Sequence, residues 1–239
     1  LTVTDILSPA SLNCNAGNTA VTIRVKNLTG NTYNNVPVLY RLDNGTPVSE
    51  TIPVINPNSS VDYTFSTQAD LSAYKKFTLD AWVQLPSDDY PVNDSITNTF
   101  IYNSPVVNSY PYLQRFESND GNYFTTGSYS SWKWGGTDAN TRTYLDRSAN
   151  GTKAWFTSLA GSYKTNEYSY LYSPCFDLSS LTNPVLSFAH ISNQEDGYDY
   201  HSVEYTINNG ASWQKLGVQN GGTNWFDYVS GIWLASKSR

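Results

Sequence analysis

The sequence predicts an all-β chain made of two successive β-sandwiches. Two observations carry this. Apolar and polar residues alternate with period two in one run after another, as in Val21, Ile23 and Val25 against Thr22, Arg24 and Lys26, which is how a strand with one buried face reads. Turn-forming pairs of Asn with Gly or Pro separate those runs, and no stretch sustains the 3.6-residue period of an amphipathic helix.

A first strand is expected near Leu1 to Leu7 and a second from Ala20 to Lys26. Val38, Tyr40 and Leu42 form the face of a third. Asp43-Asn44-Gly45-Thr46 then supplies a tight turn whose Asn-Gly pair tolerates positive φ, and the chain returns towards Ile52 as a hairpin. After the Asn56-Pro57-Asn58-Ser59 turn come Val61, Tyr63 and Phe65. Phe77, Leu79, Ala81, Val83 and Leu85 next alternate with Thr78, Asp80, Trp82 and Gln84, and a last strand covers Ser95 to Tyr102. That is about seven short strands in about 100 residues, the dimensions of an immunoglobulin-like sandwich.

Within it, Val25-Lys26-Asn27, the turn around Asp88-Asp89-Tyr90-Pro91 and the closing Val92-Asn93-Asp94-Ser95 resemble CARDB-type modules, an immunoglobulin-like family of bacterial surface proteins. The likeness covers residues 1–103. It implies a spacer or adhesion unit and carries no catalytic residue.

Pro105 and Pro111 flank polar residues, so 104–111 reads as a short, semi-stiff linker and 112–239 as a second domain. All tryptophans but Trp82 lie beyond it. Strands are expected at Ala154 to Thr157, Ser169 to Ser173, Pro184 to Ile191 and Ser202 to Ile207. Asn208-Asn209-Gly210-Ala211 then turns the last of these back into Trp213 to Leu216. Leu178 to Leu181 is at most one helical turn capped by Asp177, and Trp155 and Trp213 are assigned to the core.

Three landmarks recur together in one family: Pro111-Tyr112-Leu113-Gln114-Arg115-Phe116-Glu117, Ser173-Pro174-Cys175-Phe176-Asp177-Leu178, and Val203-Glu204-Tyr205 through Trp213. With Trp132-Lys133-Trp134-Gly135, Gly161-Ser162-Tyr163 and Tyr198-Asp199 they resemble the MAM-like jelly-roll modules of bacterial secreted proteins. The resemblance implies two antiparallel sheets, a role in sticking or support, and secretion of the type IX kind. Such modules continue past the Trp225 region, so a jelly roll truncated at its C-terminus is expected, with an unpaired sheet edge open to another chain.

Composition restricts the partners. The chain has 239 residues, 39% of them hydrophobic and only 14% charged, so it can fill a core while neutral polar side chains solubilise it. The net charge is −6 and no Lys/Arg cluster forms, so the footprint of nucleic-acid binding is missing. No apolar run approaches the roughly 20 residues that cross a bilayer, and no leader opens the chain at Leu1. The absence of Met fits a processed or excised fragment. Cys14 and Cys175 fall in different expected domains, where a bridge would join them; two buried, inert thiols are the preferred reading.

The search for chemistry yields few residues. His190 and His201 lack HExxH spacing and a third ligand, and read as structural. There is no Gly-x-Ser-x-Gly elbow and no cysteine beside a histidine. Glu195, Asp196 and Asp199 do not keep the spacing of a glycosidase pair on a strand, and Glu204 stands alone. The acidic run from Asn193 to Asp199 follows no defined calcium loop and reads as a solvated connection. By resemblance to related jelly rolls, Glu117, with Asp199 as helper, is the candidate for a structural calcium or other cation. Tyr129, Trp132 and Trp134, in a region expected to be loop, are the candidate sugar platform, against a core role as the alternative. The sugar reading needs Trp132 or Trp134 to stand at least half exposed beside a groove. Acceptor triplets at Asn27, Asn44, Asn58, Asn93 and Asn150 are taken as chance matches in an Asn-rich chain.

The expected function is therefore non-enzymatic: extracellular modules of a larger bacterial surface or secreted protein, serving adhesion or presentation towards a glycan or another surface protein. Two alternatives stand beside it. One is the accessory region of a secreted hydrolase, a peptidase first, whose catalytic domain lies outside this chain; the other is a glycan-binding module.

Overall fold

The computed structural model describes residues 1–85, 94–136, 151–192, 194–195, 198–226, 232–234 and 237–238. The expected turns at Asp88-Asp89-Tyr90-Pro91 and Val92-Asn93, the triplet at Asn150, and Asn193, Asp196 and Gly197 of the acidic run lie outside them. The chain is all-β, with no helix among the described residues. It divides into two compact units, Leu1–Pro105 and Val106–Arg239.

The first unit holds β1 (Thr2–Ser8), β2 (Leu12–Cys14), β3 (Asn18–Thr19), β4 (Thr22–Lys26), β5 (Tyr33–Leu42), β6 (Val48–Ile55), β7 (Ser60–Thr64), β8 (Ala69–Asp70), β9 (Lys76–Val83) and β10 (Ser95–Ser104). They form a three-stranded sheet in the order β1-β4-β7 and a five-stranded sheet in the order β2-β10-β9-β5-β6, with β3 and β8 as a small third pair. One core cluster draws Val3, Ile23 and Val25 from the first sheet and Val38, Tyr40, Ile52, Leu79, Ala81 and Ile101 from the second, so the two sheets pack as a sandwich. Each such side chain taken fully out of water contributes about 1.5–3 kcal/mol. The period-two reading holds for the inward face of β9, where Phe77, Leu79, Ala81 and Val83 are all buried.

The turns behave as their residues require. Asp43 and Asn44 both adopt positive φ, at 50° and 58°, and Tyr40 pairs with Val48 across the hairpin they close. Asp80, on the face expected to be solvated, is only 5% exposed. Its carboxylate accepts from Arg41 Nε at 2.8 Å and from the Asn98 backbone N–H at 2.8 Å, which compensates its burial. Asn27 is fully buried, its Nδ2 donating to the carbonyls of Asn31 and Asn56 while its Oδ1 accepts from Thr29. No sugar can be attached to an amide so enclosed.

The second unit holds β11 (Val106–Val107), β12 (Phe124–Ser128), β13 (Trp132–Gly136), β14 (Lys153–Thr157), β15 (Tyr168–Tyr172), β16 (Cys175–Phe176), β17 (Ile191–Ser192), β18 (Tyr200–His201), β19 (Glu204–Tyr205), β20 (Gln214–Lys215), β21 (Trp233–Leu234) and β22 (Lys237–Ser238). The pairings nest. β13 pairs with β14 inside the pair β12-β15, and β19 with β20 inside β18-β21, itself inside β17-β22. Each pair is a separate two-stranded antiparallel ladder. Within the segment expected as linker, Ser104 ends β10 and Val106–Val107 pairs in parallel with Cys175–Phe176.

Several expectations are corrected in this unit. The run from Pro184 to Ile191 is not a strand; only Ile191 joins a ladder, no described strand pairs with 184–190, and Val185 stays 89% exposed. The core is aromatic instead: Trp233 and Phe226 are buried, with His190 and His201 against the Trp233 ring at centroid distances of 4.9 and 5.1 Å. Trp213 is not core but exposed, because Gln214 and Lys215, and not Trp213 itself, carry the short ladder to β19. Cys14 and Cys175 are not buried thiols: neither is buried and neither is free, both being disulfide-bonded. At Leu178 to Leu181 there is one turn, closed by the Leu181 N–H on the Leu178 carbonyl, and Asp177 Oδ1 accepts from the Ser179 N–H as expected of a cap.

Candidate functional site

Two of the residues singled out in the sequence meet at one place. Trp134 lies on β13, not in a loop, directly opposite Trp155 on β14. Both indoles donate to one short segment: Trp134 Nε1 to the Phe116 carbonyl at 2.7 Å and Trp155 Nε1 to the Asp120 carbonyl at 3.0 Å. Between those anchors, Glu117 points back at β14. Its Oε1 accepts from the N–H of Thr152 at 2.9 Å and of Lys153 at 3.0 Å, and Oε2 from Thr152 Oγ1 at 3.2 Å. The hydrogen bonds from the Lys153 and Thr152 backbone hold the Glu117 carboxyl below its usual range. Lys153 Nζ in turn sits 4.9 Å from the centroid of the Trp134 ring.

Gly151 makes this approach possible. A Cβ there would fall 2.1 Å from Glu117 Oε1. The carboxylate is thus seated in a cradle of N–H donors against bare backbone.

Trp132 and Trp134 are both partly buried and neither is half exposed, whereas Tyr129 is 65% exposed. Asp199 has partners of its own, accepting from the Tyr163 hydroxyl and the Glu195 N–H, and its hydrogen bond pushes the Tyr163 phenol up. Glu117 and Asp199 share none of these partners. Among the described residues no group of three or more His, Cys, Asp or Glu is placed to hold a metal ion.

Other carboxylates repeat the pattern. Glu167 accepts from the Ser131 N–H at 2.9 Å and from the hydroxyls of Ser131 and Ser169 at 2.5 and 2.6 Å. In the first unit Glu50 accepts from Tyr63 Oη, the Ser66 hydroxyl, and the N–H groups of Ser66 and Thr67, all within 2.7–3.0 Å. Desolvation pushes the Glu50 carboxyl up, but the hydrogen bonds from Ser66, Thr67 and Tyr63 prevail and hold it at about 2.

A second feature escaped the sequence reading. Tyr168, Tyr170 and Tyr172 alternate along β15 and therefore share a face, continued by Trp213. Ring centroids follow at 5.3 Å from Tyr168 to Tyr170, 6.0 Å to Tyr172 and 5.4 Å to Trp213. The partner strand β12 sets Ser128, Thr126 and Phe124 opposite the three tyrosines, and the Phe124 ring stacks on Tyr172. Tyr168 is 63% exposed, and Tyr170 and Trp213 are each 37% exposed. Desolvation first, and then Tyr168, push the Tyr170 phenol up. The signal was in the sequence as Tyr168-Ser169-Tyr170-Leu171-Tyr172, an alternation read only as a strand.

Among families of known proteins, curated proteins and solved structures, none matches this chain.

Proposed function

We propose that this chain is a non-enzymatic, extracellular pair of modules from a larger bacterial surface or secreted protein, serving adhesion or presentation. The observation that carries the reading is how the side chains are used. Glu50, Glu117 and Glu167 are each seated on backbone N–H groups of neighbouring segments, as clamps, while Tyr168 and Tyr170 on one strand face are left exposed. Ionisable groups holding loops and aromatic groups facing outward suit a body that touches a partner. The likeness of residues 1–103 to CARDB-type modules and of 112–239 to MAM-like jelly rolls supports it. The disulfide bonding of Cys14 and Cys175 supports an oxidising, extracellular location.

Beads coated with the chain, offered to wells coated with crude cell-wall and extracellular-matrix extracts, test this reading. Retention of the beads, with no peptide or reducing end released from the coats, is expected. Release of either product, abolished by a single carboxylate variant such as Glu204→Gln, would show an enzyme instead.

A further inference from the structure

We infer that the face made by Tyr168, Tyr170, Tyr172 and Trp213 is a binding platform for an uncharged polysaccharide chain. This deepens the adhesive reading and rests on it.

The rings form one continuous aromatic row. Residues two apart on a strand repeat every ~6.6–6.8 Å, so the three tyrosines span roughly 13 Å, long enough for an oligosaccharide segment and too long for one sugar ring. Successive rings lie at 5.3, 6.0 and 5.4 Å with changing tilt, from 80° to 44° to 69°, so they offer edges and faces in sequence. A pyranose presents an apolar C–H face to such rings and hydroxyls at its rim. A polar group stands where such hydroxyls would reach: Thr126, opposite Tyr170 on β12.

Charge decides against an anionic occupant. An anionic glycan would be disfavoured by a chain of net charge −6. The row is also built to stay in place. Gly127, opposite Ser169 with φ at 104°, lets β12 close on β15, where a Cβ would stand 2.2 Å from the Tyr168 carbonyl oxygen.

The test is native affinity electrophoresis of the chain in gels cast with soluble β-glucan, mannan, galactan or xylan, each against a blank gel. At least one polysaccharide is expected to slow the chain. The double variant Tyr168→Ala/Tyr170→Ala is expected to weaken that retardation at least about tenfold, and Tyr198→Ala, at an exposed ring outside the row, to leave it unchanged. Tyr168→Ala alone, at the most exposed ring, is the fallback should the double variant fold poorly, and is expected to weaken it several-fold. Retardation by none of the four, or retardation unchanged in both Tyr168 variants, overturns the inference. Such a failure leaves the non-enzymatic reading standing, since that one falls on product release.

Discussion

Trp134 and Trp155 face each other across one rung of the β13-β14 ladder, and their indole nitrogens grip the two ends of one segment, at the carbonyls of Phe116 and Asp120. Glu117, inside that segment, completes the attachment through the Thr152 and Lys153 backbone. The entry to the second unit is thereby fastened to its first hairpin by two indoles and one carboxylate. Each lies far from its partner in sequence, and together they explain why these residue types stand at these positions.

The closeness of Gly151 to Glu117 predicts a coupled pair. Gly151→Ala places a methyl group 2.1 Å from Glu117 Oε1 in the present geometry, so it is expected to destabilise the unit by about 1–3 kcal/mol. In a Glu117→Ala background the same change is expected to do far less. A double-mutant cycle by urea unfolding checks this; additive effects would separate the two residues.

Calcium is expected to leave the melting temperature unchanged. Glu117, the residue that resemblance suggests as a cation ligand, faces N–H donors, whose positive ends disfavour a second cation at the same oxygens. Thermal scans with millimolar calcium and with a chelator check it, and a clear upward shift with calcium that Glu117→Ala removes would restore the cation.

Acid should weaken the first unit through Glu50. Its folded carboxyl sits at about 2, below an ordinary glutamate, so its contribution is fully present above the unfolded range near 4.5 and is lost as the pH falls from there towards 2. After solvent screening this amounts to about 1–2 kcal/mol. Unfolding curves across that window should be steeper in pH for the parent than for Glu50→Gln. Parallel curves would remove Glu50 from the account.

The disulfide predicts a chemical signature. Neither cysteine should react with an alkylating reagent until the chain is reduced. After reduction both should react, and intact-mass measurement before and after reduction tests this.

How much of this could be read in the sequence varies with the kind of interaction. Phe77, Leu79, Ala81 and Val83 are legible because alternation needs only the strand itself, and a turn near Asp43-Asn44-Gly45 because a turn is local, although its positive φ falls on Asp43 and Asn44 and not on the Asn44-Gly45 pair. The clamps were invisible, since Glu50 meets Ser66 and Thr67, and Glu117 meets Thr152, only after strands are registered. Pro184 to His190 looked like a strand by its apolar content, yet a strand needs a partner, and none of the described strands supplies one. Trp213 was placed in the core by residue type, although its neighbours Gln214 and Lys215 are what pair with β19. The tyrosine row is missed in another way: a strand is expected over Ser169 to Ser173, but which of its faces stays in water depends on what packs against β15.

The most direct measurement of the central claim, that the clamped β framework exists to display the aromatic row, is tyrosine nitration mapped by mass spectrometry with and without the neutral polysaccharide that retards the chain. The account predicts that Tyr168 and Tyr170 are protected by the polysaccharide, while Tyr129, 65% exposed, and Tyr198, 79% exposed, react as before. Protection at Tyr129 with Tyr168 and Tyr170 still reacting, or protection at none of them, would contradict it.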